Sequence, residues 1–179
     1  MSQTRRAGFV ALIGAPNAGK STLTNRLVGS KISIVTQKVQ TTRFPVRGVF
    51  VLGDSQVVLV DTPGIFKPRR RLDRAMVASA WGGAEDADAV VHLVDVQSEL
   101  AVAEGRAKGA DHRQIEDARA ITEGLKGAGT KAILALNKID GIKRDSLLAV
   151  TQSYFDTRAY SEVFMISASQ GSGVEDLKS

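Results

Sequence analysis

Apolar runs alternate along the chain with stretches of helical spacing, and this order predicts strands and helices in turn. Continuous apolar runs at residues 9–13, 89–94 and 132–136 are typical of parallel strands covered on both faces, and residues 163–166 predict a further strand. Apolar residues at helical spacing predict helices over residues 20–28, 72–81, 114–125 and 145–155, and the beginning of another at 173–179. Gly29 follows the first helix as a C-terminal cap.

Two further apolar runs, residues 45–52 and 56–60, are joined by Gly53-Asp54-Ser55, which predicts an antiparallel hairpin. Polar residues dominate the later part of residues 31–43 and predict a mobile loop. Residues 97–111 are rich in Ala, Gly and charge, so we expect an exposed loop with at most a weak helix. The whole pattern predicts an α/β fold of three layers, with a mostly parallel sheet that contains one antiparallel strand.

Composition narrows the class of protein without changing this picture. At 179 residues the chain is long enough for one large domain with a full core. It has no cysteine, which excludes a disulfide scaffold and thiolate metal sites and fits a cytoplasmic location. No apolar run approaches the roughly 18 residues of a membrane span, and residues 1–6 lack the apolar core of a signal peptide. The net charge of +5 favours anionic partners.

Residues 14–21, here called the phosphate loop, have the spacing GxxxxGK[ST] between a predicted strand and a predicted helix. In this context successive backbone amides can cradle phosphates at the positive end of the helix. Lys20 would reach the β- and γ-phosphates, and Ser21 would bind Mg²⁺ through its hydroxyl. The alternative is a glycine-rich turn that contains Lys-Ser by chance. The predicted nucleotide contacts here are Ala15, Pro16, Asn17, Ala18, Gly19, Lys20, Ser21 and Thr22.

Asp61-Thr62-Pro63-Gly64 follows the second strand of the predicted hairpin. The carboxylate of Asp61 would emerge beside the phosphate loop, where it can hold Mg²⁺ directly or through water. Gly64 would place a backbone amide within reach of a γ-phosphate, so loss of that phosphate could release the segment. The alternative is an ordinary Asp-Thr-Pro-Gly turn.

Asn137-Lys138-Ile139-Asp140 follows a buried strand and has the chemistry of a guanine reader. A carboxylate at Asp140 can accept hydrogen bonds from the N1 and N2 donors of guanine, which adenine does not offer, so GTP is favoured over ATP. Asn137 would brace neighbouring loops, and Lys138 would lie along the base plane. The backbone near Ala168, between Ser167 and Ser169, would meet the guanine O6. The alternative is a polar surface turn.

These motifs together resemble the translation-factor-related GTPases and, within them, the Era-type family. The superfamily motifs are matched by residues 14–21, 61–64, 137–140 and 167–168, and the features more particular to Era-type members are Lys31-Ile32-Ser33-Ile34, Gln40-Thr41-Thr42-Arg43 and the run Asp-Thr-Pro-Gly-Ile at 61–65. The resemblance covers nearly all of the chain and implies a P-loop G domain over residues 1–179. It identifies Thr42, in preference to Thr41, as the Mg²⁺-sensing threonine.

Position 65 bears on how hydrolysis would occur. Many GTPases carry a water-orienting glutamine after the Asp-x-x-Gly motif, whereas Ile65 cannot form a side-chain hydrogen bond. Relatives with an apolar residue here and an asparagine in the phosphate loop use K⁺, which implies slow, K⁺-stimulated hydrolysis with Asn17 as a K⁺ ligand. Asn17 could instead be a turn residue that tolerates an unusual backbone. If K⁺ is used, catalysis would involve Lys20, Asn17, Thr42 and Gly64. A nucleotide sensor with negligible turnover is the competing interpretation.

The resemblance also implies partners for a longer protein. Era-type GTPases carry a C-terminal KH domain that binds 16S rRNA of the small ribosomal subunit, and this sequence ends before such a domain could begin. We therefore expect a monomeric G domain that binds RNA weakly, with peripheral association with the inner face of the cell membrane left open. A related GTPase of the tRNA-modification or double-G-domain type is the alternative assignment. His92 lies in an apolar run without a metal-spaced companion, so we expect it to pack in the core.

Overall fold

A computed structural model describes residues 6–29, 46–61 and 87–179 of the chain. The strands are β1 (Arg6–Gly14), β2 (Val46–Leu52), β3 (Ser55–Asp61), β4 (Ala89–Asp95), β5 (Ala132–Asn137) and β6 (Tyr160–Met165). The helices are α1 (Lys20–Val28), α2 (Val96–Ala103), α3 (Gly109–Ala128), α4 (Arg144–Phe155) and α5 (Val174–Lys178). The predictions for residues 31–43 and 72–81 lie outside the described residues.

The strands form one six-stranded sheet in the order β2-β3-β1-β4-β5-β6. Only β2 runs antiparallel to its neighbour in this sheet, so the predicted mixed sheet is confirmed. The hairpin between β2 and β3 turns at Gly53 and Asp54, where Gly53 has φ 57°. That left-handed backbone suits glycine and sets the two strands in register.

Helices cover both faces of the sheet, as the three-layer prediction requires. One apolar cluster joins α2, α3 and α4 to β1, β4 and β5 through residues such as Ile13, Ile121 and Leu134. The other joins α1 and α5 to the opposite face through Leu23 and Leu93. The sheet is therefore a rigid middle layer, and its strand ends are fixed with respect to one another. Among the described residues, no helix is both long enough and apolar enough to cross a membrane.

The prediction of an exposed loop over residues 97–111 is wrong for most of the segment, because only residues 104–108 lie outside helices. Residues Val96–Ala103 form helix α2, and α3 already begins at Gly109. The Asp95 side chain caps α2 by accepting from Ser98 N at 3.2 Å, and Val96, Leu100 and Ala101 are buried against the core. The N-cap and the buried apolar side outweigh the glycine and charge content on which, with alanine, the prediction relied.

His92 is buried in the core as predicted, and it belongs to a chain of polar groups. Its Nδ1 lies 2.6 Å from Tyr160 Oη, which lies 2.8 Å from Thr122 Oγ1. Thr122 Oγ1 donates in turn to Ala118 O at 2.9 Å. Burial lowers the pKa of His92 to about 3, with a smaller effect from the charge of Lys20, so the ring is neutral in the folded protein. The chain links β4, β6 and α3 inside an otherwise apolar layer.

Candidate nucleotide-binding site

The predicted motifs at residues 14–21, 137–140 and 167–169 meet at the carboxyl ends of the parallel strands. Strand β1 lies between β3 and β4 and runs directly into the phosphate loop. Asp95 at the end of β4 pairs in register with Asn137 at the end of β5, and Ser167 follows β6 on the far side. Ligands of open α/β sheets bind in this position, where the strand order reverses.

The phosphate loop has a backbone that few other residue types would allow. Gly19 has φ 108°, and a Cβ there would collide with Asn137 Nδ2. A Cβ on Gly14 would lie 2.8 Å from Leu93 O, which is too close without a shift of the backbone. Asn17 has φ 68°, a left-handed conformation that asparagine tolerates. The two glycines thus let the loop pack tightly against β4 and the side chain of Asn137.

Five consecutive carbonyl groups of the phosphate loop accept hydrogen bonds from side chains. Lys20 Nζ donates to the first two, Gly14 O at 2.9 Å and Ala15 O at 3.2 Å. The next three accept, in chain order, from Gln114 Nε2 on Pro16 O, Lys138 Nζ on Asn17 O at 3.1 Å and Asn137 Nδ2 on Ala18 O at 2.9 Å. The carbonyl groups are thus bonded within the protein, as an anion-binding nest of amides at the beginning of α1 would require.

Asn137 joins the phosphate loop to the segment between β6 and α5, here called the base loop (residues 166–173). Its Nδ2 donates to Ala18 O, and its Oδ1 accepts from Ala168 N at 3.0 Å. The side chain is 2% exposed, so both bonds are shielded from water. Asn137 thus makes the predicted brace between loops.

Asp140 carries a buried oxygen that fits a guanine base. Its Oδ1 is shielded from solvent and has no hydrogen-bond partner among the described residues. A buried carboxylate oxygen without a donor is costly, and the N1 and N2 donors of guanine would satisfy it. The acceptor on Asp140 and the phosphate loop therefore both fit a guanine nucleotide.

The amide of Ala168 donates to Asn137 in this structure, whereas the sequence predicts that it meets guanine O6. That contact stays a prediction and requires the amide to share or exchange its acceptor. On either side, Ser167 Oγ accepts from Gln170 N at 3.2 Å and lies 3.4 Å from Ser169 Oγ. These bonds close the base loop locally.

The predicted Mg²⁺ ligands are only partly within the described residues. Ser21 lies on the first turn of α1 and accepts a hydrogen bond from Arg47 Nη1 at 3.1 Å. Thr42 and Gly64 lie outside the described residues, and Asp61 is described only as the last residue of β3. Within the described ranges, no group of three or more His, Asp or Glu side chains forms a preformed metal site. The Mg²⁺ assignment and the K⁺ assignment of Asn17 stay predictions.

Sequence reasoning missed Asp95, which holds the lysine of the guanine motif. Its Oδ2 accepts from Lys138 Nζ at 2.7 Å, while its Oδ1 caps α2. Asp95 is 8% exposed, so the ion pair is largely shielded on one side. Lys138 thus lies between Asp95 and the phosphate loop. The position of Asp95 could have been predicted from sequence, because it is a carboxylate directly after an apolar run, as Asp61 is.

Two more contributing residues, Gln114 and Arg26, gave no signal in the sequence. Gln114 reaches Pro16 O from α3, 98 positions along the chain. Arg26 reaches the carbonyls of Ala168 and Ser169 from α1, across 142 and 143 positions. Neither residue stands in a motif, and only the packing of helices on the sheet brings them to the site.

Comparison with known proteins agrees with this geometry. The family model described as 50S ribosome-binding GTPase matches residues 9–138. The chain is similar to GTPase Era of Caulobacter vibrioides, with 70% identity over 96% of this chain and 54% of the relative. It is also similar to GTPase Era of Maricaulis maris, with 58% identity over 99% of this chain and 57% of the relative. The chain thus spans about half the length of the curated relatives it matches.

Solved structures show the same likeness. A crystal structure of Era in complex with MgGDPNP and nucleotides 1506–1542 of 16S ribosomal RNA matches with a TM-score of 0.70 and 31% identity, over 97% of this chain and 55% of that one. The FeoB G-domain from Methanococcus jannaschii matches with a TM-score of 0.62 and 27% identity, over 97% and 94% of the two chains. With its phosphate loop, guanine motif and fold in place, the chain belongs to the 50S ribosome-binding GTPase family, as an Era-type G domain.

Proposed function

We propose that this chain binds GDP and GTP and hydrolyses GTP as a molecular switch. The observation that carries the proposal is the buried, unpartnered Oδ1 of Asp140, in a motif whose Asn137 and Lys138 bond to the phosphate loop. Only a ligand with donors at the base end and anionic groups at the loop end satisfies both. A guanine nucleotide has this distribution of groups, and an adenine nucleotide lacks the donors.

Different residues of the chain bind different parts of the nucleotide. Lys20 and the loop amides bind the phosphates, with Ala15, Pro16, Asn17, Ala18, Gly19, Ser21 and Thr22 as the contacts. Asp140 reads the base, and Lys138, held by Asp95, lies beside it. Ser21, Thr42 and Asp61 would hold Mg²⁺, which supplies charge neutralisation at the β- and γ-phosphates when bound.

Base selection is tested by measuring affinities of the nucleotide-free protein for GDP, IDP and ADP. IDP lacks the N2 amine, so one acceptor at Asp140 stays unpaired and binding should fall by about 5- to 150-fold, the equivalent of about 1–3 kcal/mol. Asp140→Asn should reverse the preference toward XDP, because an amide donor then faces the C2 carbonyl of xanthine. Asp54→Asn, the same change in the exposed hairpin turn, is the matched control. Equal affinity for GDP and ADP would refute the proposal.

We also propose that hydrolysis of GTP is slow and is stimulated by K⁺. Ile65 offers no hydrogen bond to orient a water molecule, so a cation near Asn17 would compensate charge as the reaction proceeds. Single-turnover hydrolysis measured in K⁺ and in Na⁺ tests this, with Asn17→Ala as the variant expected to lose the K⁺ response. Equal rates in the two ions would refute the K⁺ role. Tight nucleotide binding without turnover in either ion would establish the competing sensor interpretation.

We further propose that a longer protein containing this domain acts on the small ribosomal subunit. The support is the structural match to Era bound to 16S ribosomal RNA and the high identity to curated Era proteins. The domain alone should bind RNA weakly, which filter binding with a 3′ fragment of 16S rRNA would measure. Tight, sequence-specific binding by the 179 residues would contradict this division. The expectations of a monomer and of peripheral membrane association stay predictions, to be tested by sedimentation with and without vesicles.

A further inference from the structure

Arg26 binds the base loop through two of its guanidinium nitrogens. Its Nε donates to Ala168 O at 3.2 Å, and its Nη2 donates to Ser169 O. Arg26 lies on α1, the helix that begins at Lys20 of the phosphate loop. One helix therefore contacts both the loop predicted to hold phosphates and the loop predicted to read the base.

Several backbone groups of the base loop are bonded without α1. Ser167 N donates to Ser172 O at 2.9 Å, and Gly171 N donates to Ser167 O at 2.7 Å. The Ala168 amide is held by Asn137. These bonds fix the internal shape of the loop and attach its amide side to β5. The carbonyls of Ala168 and Ser169 face the other way, and Arg26 is the donor that holds them.

Arginine suits this position better than lysine would. Its planar guanidinium presents donors in a fixed fork that matches two successive carbonyls, whereas a lysine ammonium is a point charge on a flexible stem. Gly171 has φ 86°, and a Cβ there would lie 3.5 Å from Arg26 Nη1, so the loop passes directly over the guanidinium. A cavity of about 450 Å³ lies along this contact, lined by Thr22, Asn25, Arg26, Gly29 and Ala168.

We propose that Arg26 is a positioning residue that fixes the base loop, and thereby sets how the site reads position 6 of the purine and how slowly the nucleotide leaves. The inference rests on the proposed function, since it assumes that the base loop faces O6. Asp140 reads the N1 and N2 side independently. We call the two hydrogen bonds from Arg26 to the base loop the Arg26 clasp. Its loss should weaken discrimination at position 6 of the purine and leave discrimination at position 2 intact.

The first test compares Arg26→Met, Arg26→Lys and the control Arg119→Met, which changes an exposed arginine on α3. Methionine keeps helix propensity and most of the aliphatic stem but removes the donors. We expect Arg26→Met to release a fluorescent GDP about tenfold faster, as for loss of a hydrogen bond from a charged donor. Lysine should restore part of the effect, and Arg119→Met should match the unchanged protein.

Competition assays separate positioning from a general loss of stability. In Arg26→Met, the preference for GDP over an analogue with an amine in place of O6 should narrow, while the preference for GDP over IDP stays constant. Unchanged discrimination at position 6, or an equal loss at positions 2 and 6, would overturn the proposal.

Amide hydrogen exchange in the nucleotide-free protein supplies a readout that does not need the ligand. The base loop should exchange faster in Arg26→Met than in Arg119→Met, with α3 unchanged. Faster exchange in a chain that binds no GDP would mean that the proposed function fails while the clasp exists. Equal exchange in the two variants would overturn the role of Arg26 itself.

Discussion

Removal of the Asn137 side chain should destabilise the protein even without nucleotide. Asn137→Ala leaves two buried groups, Ala18 O and Ala168 N, without the partners they have at 2.9 and 3.0 Å. Each unsatisfied buried group costs about 1–3 kcal/mol, so the free energy of unfolding should fall by about 2–6 kcal/mol. At about 2–4 °C per kcal/mol for a domain of this size, Tm should fall by at least about 4 °C.

The assay is thermal and urea unfolding of the nucleotide-free protein, followed by far-UV circular dichroism. Asn137→Asp keeps the acceptor for Ala168 N but places a second acceptor against Ala18 O. The decrease in Tm of this variant should be smaller at acidic pH, where a protonated carboxyl can donate to Ala18 O. Asn25→Ala, an exposed position on α1, is the matched control. A Tm for Asn137→Ala within about 2 °C of the unchanged protein would show that the bonds to Asn137 contribute less than 1 kcal/mol and would refute the reasoning.

Four further outcomes are expected. Asp95→Asn keeps the cap of α2 but removes the charge opposite Lys138, so GDP release should accelerate several-fold in stopped-flow measurements while Tm changes little; an unchanged release rate would mean that the ion pair does not position Lys138. Gln114→Leu removes a donor from the phosphate loop and should weaken affinity for GDP in calorimetry more than Gln152→Leu on α4 does; equal affinities would contradict this. Gly19→Ala places a Cβ against Asn137 at φ 108° and should abolish nucleotide binding. Burial depresses the pKa of His92 from 6.5 to about 3, so the stabilisation from its neutral form is complete above pH 6.5 and is lost as pH falls toward 3, by up to about 1.4 kcal/mol per pH unit. In urea unfolding, the free energy of unfolding of His92→Phe should therefore depend less on pH than that of the unchanged protein. An identical pH dependence in the two proteins would refute the depressed pKa of His92.

The order of strands and helices was largely predictable because each buried strand is a continuous apolar run. The motifs at the carboxyl ends of β1 and β5 have a spacing that reflects ligand chemistry, so the sequence predicts roles for Lys20, Asn137 and Asp140. Of these roles, the structure shows the bracing contacts of Asn137. Helix α2 could not be predicted, because its stability comes from the Asp95 cap and from burial of one side. Composition carries neither kind of information.

The supporting contacts of the site were beyond the sequence for another reason. Gln114 and Arg26 act through hydrogen bonds to backbone carbonyls, one from Gln114 and two from Arg26, and a carbonyl acceptor leaves no trace in residue type. Arginine and glutamine are also common on exposed helix faces, so their presence carries little information. The role of Asp95 could have been predicted from sequence, since it follows an apolar run at the edge of the sheet where the other motifs lie.

The bonded carbonyls of the phosphate loop have an entropic consequence. A glycine-containing segment that became ordered only around its ligand would lose backbone freedom of about 1–2 kcal/mol per residue at each binding event. Here Lys20, Gln114, Lys138 and Asn137 bond the carbonyls of the segment within the protein itself, so that loss occurs once, when the chain folds. Under the proposed function, the attraction between amides and phosphates is therefore retained almost entirely as affinity, because the loop needs little further ordering when a nucleotide binds.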